Sequence, residues 1–268
     1  MVDTSDLLRV IAQRYPAWRG KNRLVEFALR HVAGKRLHVD GSGNRFLLDL
    51  DNYIDSMLFV KGGFESREIE TLAACAAEAG CQMFVDVGAN FGLFTVAIGR
   101  NVWCREVHAF EPDPRNFAQL MANIFLNELC EKVTAYPVAL SNEDGRAHLH
   151  LARARRGWDF GKFNFGTSSV VPDESLGTSD TTAVVEKRRM DGILAPSGEA
   201  IAIKVDVEGH ELEVLQGMKG ILEKRRCVLL LEVFPGRRDA VMSYLARLGY
   251  SELAGRVEPP NLLLLKVG

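Results

Sequence analysis

The sequence lacks the features that mark secreted, membrane-spanning and zinc-binding proteins. Its five cysteines are odd in number and none of them forms a Cys-x-x-Cys pair, so the spacing favours reduced thiols over a disulfide framework or a zinc site. No apolar run approaches the roughly 20 residues that cross a bilayer, and the first residues carry aspartates where a secretory signal carries positive charge. The net charge of −2 gives no overall field for nucleic acid. We therefore expect a cytoplasmic chain with no membrane span and no nucleic-acid partner.

The apolar pattern from Glu65 onward predicts the fold class. Short apolar runs that suit buried strands alternate there with stretches of helical period. Repeated units of this kind imply a mostly parallel sheet with helices on both faces, and we predict a Rossmann-like α/β sheet of seven strands over 65–268. The elements that the pattern locates individually are strands at 83–87, 106–110, 133–138, 201–205, 227–233 and 261–267, and helices at 65–79, 93–100, 114–127, 210–222 and 238–248.

Two regions depart from this alternation. Residues 1–64 are predicted to form an accessory N-terminal extension, with one or two amphipathic helices over 5–33 and a β-hairpin. The two predicted hairpin strands are 36–39 and 46–50. Residues 141–200 are rich in turn formers, and an insertion of this length is usually a functional loop or lid. Its weak strand patterns lie at 146–151, 168–171 and 183–187.

The first strand of the alternating region leads into a turn bracketed by glycines. The run from Val85 places Gly88 and Gly92 before a helix N-terminus, where glycines let a ligand press against the backbone and free N–H groups favour a carboxylate or phosphate. The Gly-x-x-x-Gly spacing, with Asp86 two residues ahead of Gly88 and Asn90 inside the turn, departs from the Gly-x-Gly-x-x-Gly dinucleotide fingerprint. The turn therefore favours an amino-acid-bearing ligand over a dinucleotide.

A carboxylate stands at the end of the second strand. Glu111 follows the glycine turn by about 20 residues, where an acidic side chain can accept both ribose hydroxyls of an adenosine. The alternative is that the run Glu111-Pro112-Asp113-Pro114 only caps the following helix. We predict the ribose role, because the turn and the acidic strand end occur together at the right separation, and we include Pro112 among the cofactor-binding candidates. Ala139 and Leu140, just past the third strand, are candidates for flanking the adenine ring.

Four ionisable side chains cluster where the fourth strand ends, namely Lys204, Asp206, Glu208 and His210. Open α/β sheets bind their ligands at this edge. If the strand stays extended to residue 208, alternation puts Lys204, Asp206 and Glu208 on one side, where they could hold a hydroxyl, take its proton and stabilise a cation. The alternatives are that Asp206 caps the next helix and pairs with Lys204, and that His210 is an ordinary helix-start residue. No His/Cys ligand spacing predicts a metal site.

Three of these strings resemble the motifs of the FkbM-type methyltransferase family, at residues 84–92, 109–116 and 203–211. Lesser matches are Gly63-Phe-Glu, the run from Ala139, and Gly166-Thr-Ser-Ser. The resemblance implies S-adenosylmethionine as cofactor and O-methylation of a small metabolite or sugar. It also implies a role for each matching residue: Asp86, Gly88, Asn90 and Gly92 would cradle the methionine end, Glu111 the ribose, and Asp206, Glu208 and His210 would face the transferred methyl group.

The acceptor side is less defined. In the insertion, three arginines and four aromatic residues suit either a lid over an acidic or sugar-like substrate or a solvated loop; they are Arg153, Arg155, Arg156, Trp158, Phe160, Phe163 and Phe165. Residues 9–36 carry eight Lys or Arg against a single acid, Glu26. This excess of basic residues favours either binding to an anionic surface or a solvent-exposed helix face.

Two rival functions follow from these features. One is a nicotinamide-dependent oxidoreductase, which the glycine spacing disfavours, and the other is a non-catalytic cofactor-binding module that acts through its basic N-terminal helix. As the partner of the predicted enzyme we expect a small-molecule or saccharide acceptor. The sequence leaves open whether the chain forms a homo-oligomer.

Overall fold

The computed structural model describes residues 9–10, 21–152, 168–170, 178–195 and 198–266. The arginines and aromatic residues named in the insertion lie outside these ranges, as does most of the predicted helical stretch before residue 21. Within the described ranges, no helix has both the length and the apolar character that a membrane span requires.

The N-terminal region contains a helix, a hairpin and a second helix. These are α1 (Lys21–His31), β1 (Lys35–Val39), β2 (Arg45–Asp49) and α2 (Tyr53–Lys61). β1 and β2 pair antiparallel, which confirms the predicted hairpin. Phe46 of β2 and Phe59 of α2 are buried in one apolar cluster with Phe84 of the central sheet. The extension therefore shares a core with the sheet.

Ten further strands follow along the chain: β3 (Met83–Val87), β4 (Glu106–Phe110), β5 (Val133–Tyr136), β6 (Val138–Leu140), β7 (Gly145–Ala152), β8 (Thr178–Arg188), β9 (Ile201–Val205), β10 (Cys227–Glu232), β11 (Tyr250–Glu252) and β12 (Asn261–Lys266). Seven of them form the central sheet, in the order β11-β12-β10-β9-β3-β4-β5. Six helices join them: α3 (Ser66–Glu78), α4 (Leu93–Gly99), α5 (Pro114–Leu126), α6 (Glu211–Gly217), α7 (Lys219–Lys224) and α8 (Arg238–Arg247).

The middle of the sheet is parallel. β3 pairs with β4 on one side and with β9 on the other, while β5 and β10 extend the parallel run outward. β12 runs antiparallel to both of its neighbours, β10 and β11. The predicted mostly parallel, Rossmann-like sheet of seven strands is confirmed. After β3 the chain adds β4 and β5 on one side of it, and later adds β9 and β10 on the other side. In open α/β sheets, ligands bind where the strand order reverses in this way, beyond the carboxyl ends of the strands.

Alternating residues of each central strand face two separate cores. Phe84 of β3 belongs to the cluster that includes α3, α4 and α5, whereas its neighbour Val85 belongs to the cluster that includes α6, α7 and α8. A strand buried on both faces needs apolar side chains in both directions, which explains why these strands are nearly continuous apolar runs. The predicted helices therefore cover both faces.

The structure corrects two predicted boundaries. The single strand predicted over 133–138 is wrong: Pro137, which has no N–H for a sheet ladder, separates β5 from β6, and β6 pairs with β8 in a separate three-stranded sheet with β7. The single helix predicted over 210–222 is two helices that meet at Met218. α6 ends at Gly217, where a Cβ would lie 1.9 Å from the carbonyl oxygen of Ser141.

Candidate active site

The glycine turn lies between β3 and α4 and is held tightly against the β9 loop. Gly88 has a φ of +78°, and a Cβ at this position would lie 1.8 Å from the carbonyl oxygen of Asp206. Gly92 has a φ of +93° and is the residue that precedes α4. Between them Asn90 also has a positive φ, of 52°, a conformation that a residue with a side chain adopts at a cost. The turn therefore presents backbone, not side chains, toward the β9 loop.

Asp86 supports this turn from inside the protein. Its side chain is fully buried, and Thr95 of α4 donates a hydrogen bond from Oγ1 to Asp86 Oδ2 at 2.6 Å. Burial raises the pKa of Asp86, while the nearby Lys204 ammonium and the Thr95 bond oppose that rise. Asp86 is thus placed to fix α4 relative to β3, one layer behind the surface of the turn.

Glu111 connects the end of β4 to the glycine turn. Its Oε2 accepts a hydrogen bond from the backbone N–H of Asn90 at 2.7 Å, and its Oε1 accepts one from the N–H of Asp113 at 2.8 Å. Burial raises the pKa of Glu111 to about 7, although these two bonds favour the charged form. The cap of α5 is Asp113, whose Oδ1 accepts from the N–H of Arg115. The helix-cap alternative therefore applies to Asp113 and leaves Glu111 for another role.

Lys204 and Asp206 form an ion pair at the end of β9. Lys204 Nζ lies 3.0 Å from Asp206 Oδ2 and 4.7 Å from the centre of the Phe94 ring. Burial alone would lower the pKa of Lys204, but the charges of Asp206, Asp86 and Glu65 outweigh it and raise the pKa above its usual value. The paired alternative for Lys204 is observed. The suggestion that Asp206 caps the next helix is wrong, because the residue that precedes α6 is His210.

Glu208 lies beyond the strand, so the assumption that the chain stays extended to residue 208 is wrong. β9 ends at Val205, and Glu208 has a left-handed φ of 51°. The loop still carries the Glu208 carboxyl into the cleft described below. Burial, followed by repulsion from Asp206, raises the pKa of Glu208 to about 9.

His210 contacts the end of β6. Its Nε2 lies 3.0 Å from Ser141 Oγ, and its Nδ1 lies 3.6 Å from Glu213 Oε2. Burial lowers the pKa of His210, which favours the neutral ring. The bond to Ser141 engages one ring nitrogen, so His210 is placed to fix the β6 end against the start of α6.

A cleft with a cavity of about 220 Å³ opens at the carboxyl ends of β3, β4, β9 and β10. The predicted site residues that line it are Gly88, Asn90, Glu111, Pro112, Ala139, Leu140, Asp206, Glu208 and His210. Asp86, Gly92 and Lys204 lie behind this lining. The structure thus brings the three sequence motifs together at one cleft.

The cleft also has lining residues that lie outside the predicted site. Tyr53, Ile54 and Phe64 come from the N-terminal region, Glu65 directly follows it, and Glu232 stands at the end of β10. The signal for Glu65 was present in the Gly63-Phe-Glu match. Glu232 could have been found from its position at the end of a central strand, the same reasoning that identified Glu111.

The insertion reaches the site through two serines. Ser168 Oγ donates to Asp113 Oδ2 at 3.0 Å, and Ser169 Oγ donates to the carbonyl oxygen of Glu208 at 2.8 Å. These bonds connect the two serines of the Gly166-Thr-Ser-Ser match to the loop after β4 and to the loop after β9. Across the described ranges, no group of three or more His, Cys, Asp or Glu side chains is arranged to hold a metal ion.

Comparison with known proteins places this cleft in a family. The family model described as the methyltransferase FkbM domain matches residues 86–252. Methyltransferase sdnD of Sordaria araneosa is 32% identical over 156 residues, which are 50% of this chain and 59% of that protein. Hexuronic acid methyltransferase AglP of Haloferax volcanii is 28% identical over 148 residues, which are 54% of this chain and 53% of that protein. The chain thus spans between half and three fifths of the length of these curated relatives.

A solved structure of methyltransferase FkbM from Methylobacillus flagellatus matches 91% of this chain and 59% of that chain, at 16% identity and a TM-score of 0.43. Since the family model covers well over half of the sequence, from Asp86 to Glu252, the chain belongs to the methyltransferase FkbM domain family. The resemblance seen in the three motifs is confirmed.

Proposed function

We propose that the chain is an S-adenosylmethionine-dependent O-methyltransferase that acts on a hydroxyl of a small metabolite or sugar-containing acceptor. The observation that carries this proposal is the 2.7 Å bond from the Asn90 N–H to Glu111 Oε2. It joins the turn and the carboxylate that an aminoacyl-adenosine ligand would contact at its two ends.

The residues of the cleft fit this cofactor. A Cβ at Gly88 would collide with the Asp206 backbone, so only a glycine allows the turn to approach the β9 loop so closely. Glu111 accepts two backbone hydrogen bonds and one from the Asn116 side chain. A carboxylate has about four acceptor sites, so Glu111 can still accept a ribose hydroxyl. Ala139 and Leu140 provide an apolar wall for the adenine ring.

The opposite end of the cleft suits the transfer itself. When bound, S-adenosylmethionine supplies a methyl group on a positively charged sulfur. Asp206 Oδ2 accepts a hydrogen bond from Lys204 Nζ, and Oδ1 is placed to accept one from an acceptor hydroxyl. The Glu208 carboxyl lines the same cleft. S-adenosylmethionine would supply the methyl group and its sulfur would keep the carbon–sulfur electron pair, while the acceptor hydroxyl would lose its proton to Asp206, the carboxylate paired with Lys204. Glu208, whose pKa is raised to about 9, would hydrogen-bond to the acceptor in the same cleft. The protein then supplies alignment and a base.

The relatives support the same reaction class. Both curated relatives named above are methyltransferases by name, and one of those names specifies a hexuronic acid. We extend this to a sugar-containing acceptor for the present chain because carboxylates and aromatic side chains, such as Glu65 and Phe64, line its cleft. Carboxylates accept hydroxyl hydrogen bonds, and ring faces pack against the C–H surfaces of a sugar.

Calorimetric titration followed by a transfer assay tests this proposal. We expect S-adenosylmethionine and S-adenosylhomocysteine to bind with one site per chain and NADH not to bind. We then expect label from methyl-labelled S-adenosylmethionine to appear on at least one member of a panel of glycosides and other small alcohols. Binding of NADH in place of S-adenosylhomocysteine would overturn the proposal in favour of an oxidoreductase, and cofactor binding without transfer to any hydroxyl would favour a non-catalytic module.

A further inference from the structure

Three glutamates from three separate segments face the same cleft. Glu65 comes from the link between α2 and α3, Glu208 from the loop after β9, and Glu232 from the end of β10. No residue in the described ranges donates a hydrogen bond to any of these three carboxyl groups. A half-buried carboxyl group without a hydrogen-bond donor is costly, so a ligand that donates hydrogen bonds or carries positive charge would stabilise all three.

Glu65 has an unusual local geometry. It is the residue before α3, yet its side chain makes no capping bond, and its backbone is left-handed, with φ 50° and ψ 27°. Four non-glycine residues in the described ranges have a positive φ, and three of them, Glu65, Asn90 and Glu208, line the cleft. Such conformations cost energy and concentrate where function requires them. The strained backbone directs this side chain to the cleft and away from its helix.

The charges near Glu65 belong to the proposed transfer end of the cleft. Lys204, Asp206 and Asp86 all act on the Glu65 carboxyl, with Lys204 the strongest of the charged groups. Glu65 in turn helps to raise the pKa of Lys204 and of Glu232. Glu65 therefore faces the end of β9, where Asp206 stands, and not the Glu111 end.

Glu65 also lies outside the matched family domain, which begins at residue 86. Tyr53, Ile54 and Phe64 accompany it on the same side of the cleft. The wall that these residues form thus comes from the part of the chain before the matched range, in which Gly63-Phe-Glu alone resembles the family motifs.

We propose that Glu65 is a residue of the active site, and that its carboxylate faces the position of the transferred methyl group, where it binds the donor charge and the acceptor hydroxyl. This inference rests on the proposed function. It makes the link between α2 and α3 part of the acceptor site, and it adds a carboxylate to Asp206 and Glu208 on the side of the cleft away from Glu111.

Two analogues of the cofactor test this placement without knowledge of the acceptor. Sinefungin carries an ammonium group where S-adenosylmethionine carries its methyl group, whereas S-adenosylhomocysteine carries nothing there. We expect the full chain to bind sinefungin more tightly than S-adenosylhomocysteine in calorimetric titrations. Glu65→Gln should weaken sinefungin binding about tenfold, the value of one charge-assisted hydrogen bond, while changing the Kd of S-adenosylhomocysteine less than about twofold.

The control is Glu70→Gln, a substitution of an exposed residue on α3, the helix that follows Glu65, which should change neither Kd. Glu65→Asp keeps the charge on a residue that tolerates the left-handed region, and it should retain part of the sinefungin preference. Equal affinities of the wild-type and Glu65→Gln chains for sinefungin would overturn the inference while leaving the proposed function intact. Equal weakening of both ligands by Glu65→Gln would also overturn it, because that result indicates a structural role. Failure of the wild-type chain to bind either ligand would overturn the proposed function, and the inference with it.

Discussion

The backbone N–H of Asn90 donates a hydrogen bond to Glu111 Oε2 across 2.7 Å, although the two residues lie on different strand–helix connections. The bond fixes the glycine turn after β3 relative to the acidic end of β4. Both residues line the cleft, so a ligand that contacts the turn also meets the carboxylate.

Glu111→Ala is expected to weaken cofactor binding. The substitution removes the proposed ribose acceptor and leaves the Asn90 N–H without its partner, so the Kd for S-adenosylhomocysteine should rise about 100-fold. Calorimetry measures it, with Glu131→Ala, an exposed site after α5, as the matched control. An unchanged Kd for Glu111→Ala would show that this carboxylate does not hold the ribose.

Gly88→Ala is expected to destabilise the fold. The added Cβ would lie 1.8 Å from the Asp206 carbonyl oxygen in a backbone with φ +78°, so the free energy of unfolding should fall by about 3 kcal/mol. Gly41→Ala is the control, because no heavy atom lies within 4 Å of its Cβ position. Urea unfolding compares the two variants. Equal stabilities would mean that the turn and the β9 loop are not in close contact.

Much of this site could be predicted from the sequence, because its residues follow apolar strands directly. Gly88, Glu111 and Asp206 each stand just past a central strand, and the carboxyl ends of parallel strands meet at one edge. Glu65 was harder to assign, since it depends on how the N-terminal region packs. The α2 helix before Glu65 shows the difficulty. Four consecutive residues of this helix are buried, namely Met57, Leu58, Phe59 and Val60, so the apolar pattern has no helical period that would predict it.

Local backbone geometry also limited the prediction. Glu208 was expected on an extended strand, but β9 ends at Val205 and the backbone turns left-handed at Glu208 and Gly209. An argument from the two-residue alternation of a strand cannot predict such a turn. The edge strand β11, only three residues long, was likewise not located individually, because so short a run carries little pattern.

Glu232 should make stability depend on pH. Repulsion from Asp206, followed by burial, raises the pKa of Glu232 from 4.5 to about 8. The folded chain therefore binds this proton more tightly than the unfolded chain, so its contribution to stability is present at low pH and is lost as the pH rises toward about 8. Glu232→Gln should flatten the fall in unfolding free energy over that range, by at most about 1.4 kcal/mol per pH unit.

Urea unfolding of both proteins across the range measures this slope. The exposed Glu78 on α3 supplies the control substitution Glu78→Gln, which should leave the slope unchanged. If the wild-type and Glu232→Gln slopes coincide, the Glu232 carboxyl does not titrate as its surroundings require.

Asp206 and His210 should differ in their effect on turnover. Asp206→Asn keeps an acceptor for Lys204 but cannot take a proton, so kcat should fall about 100-fold. His210→Ala removes the contact to Ser141 Oγ and should lower kcat less than about tenfold, since a group that only positions β6 acts indirectly. Steady-state kinetics with the best acceptor of the glycoside panel measures both. Full turnover in both variants would exclude these residues from the reaction.

A crystal structure with S-adenosylhomocysteine bound is the most direct measurement of the central claim. We expect the ribose hydroxyls within about 3 Å of the Glu111 carboxylate, the amino-acid end against the backbone from Gly88 to Gly92, and the sulfur directed toward Asp206. A ligand seated elsewhere, or an adenosine that does not contact Glu111, would contradict the account.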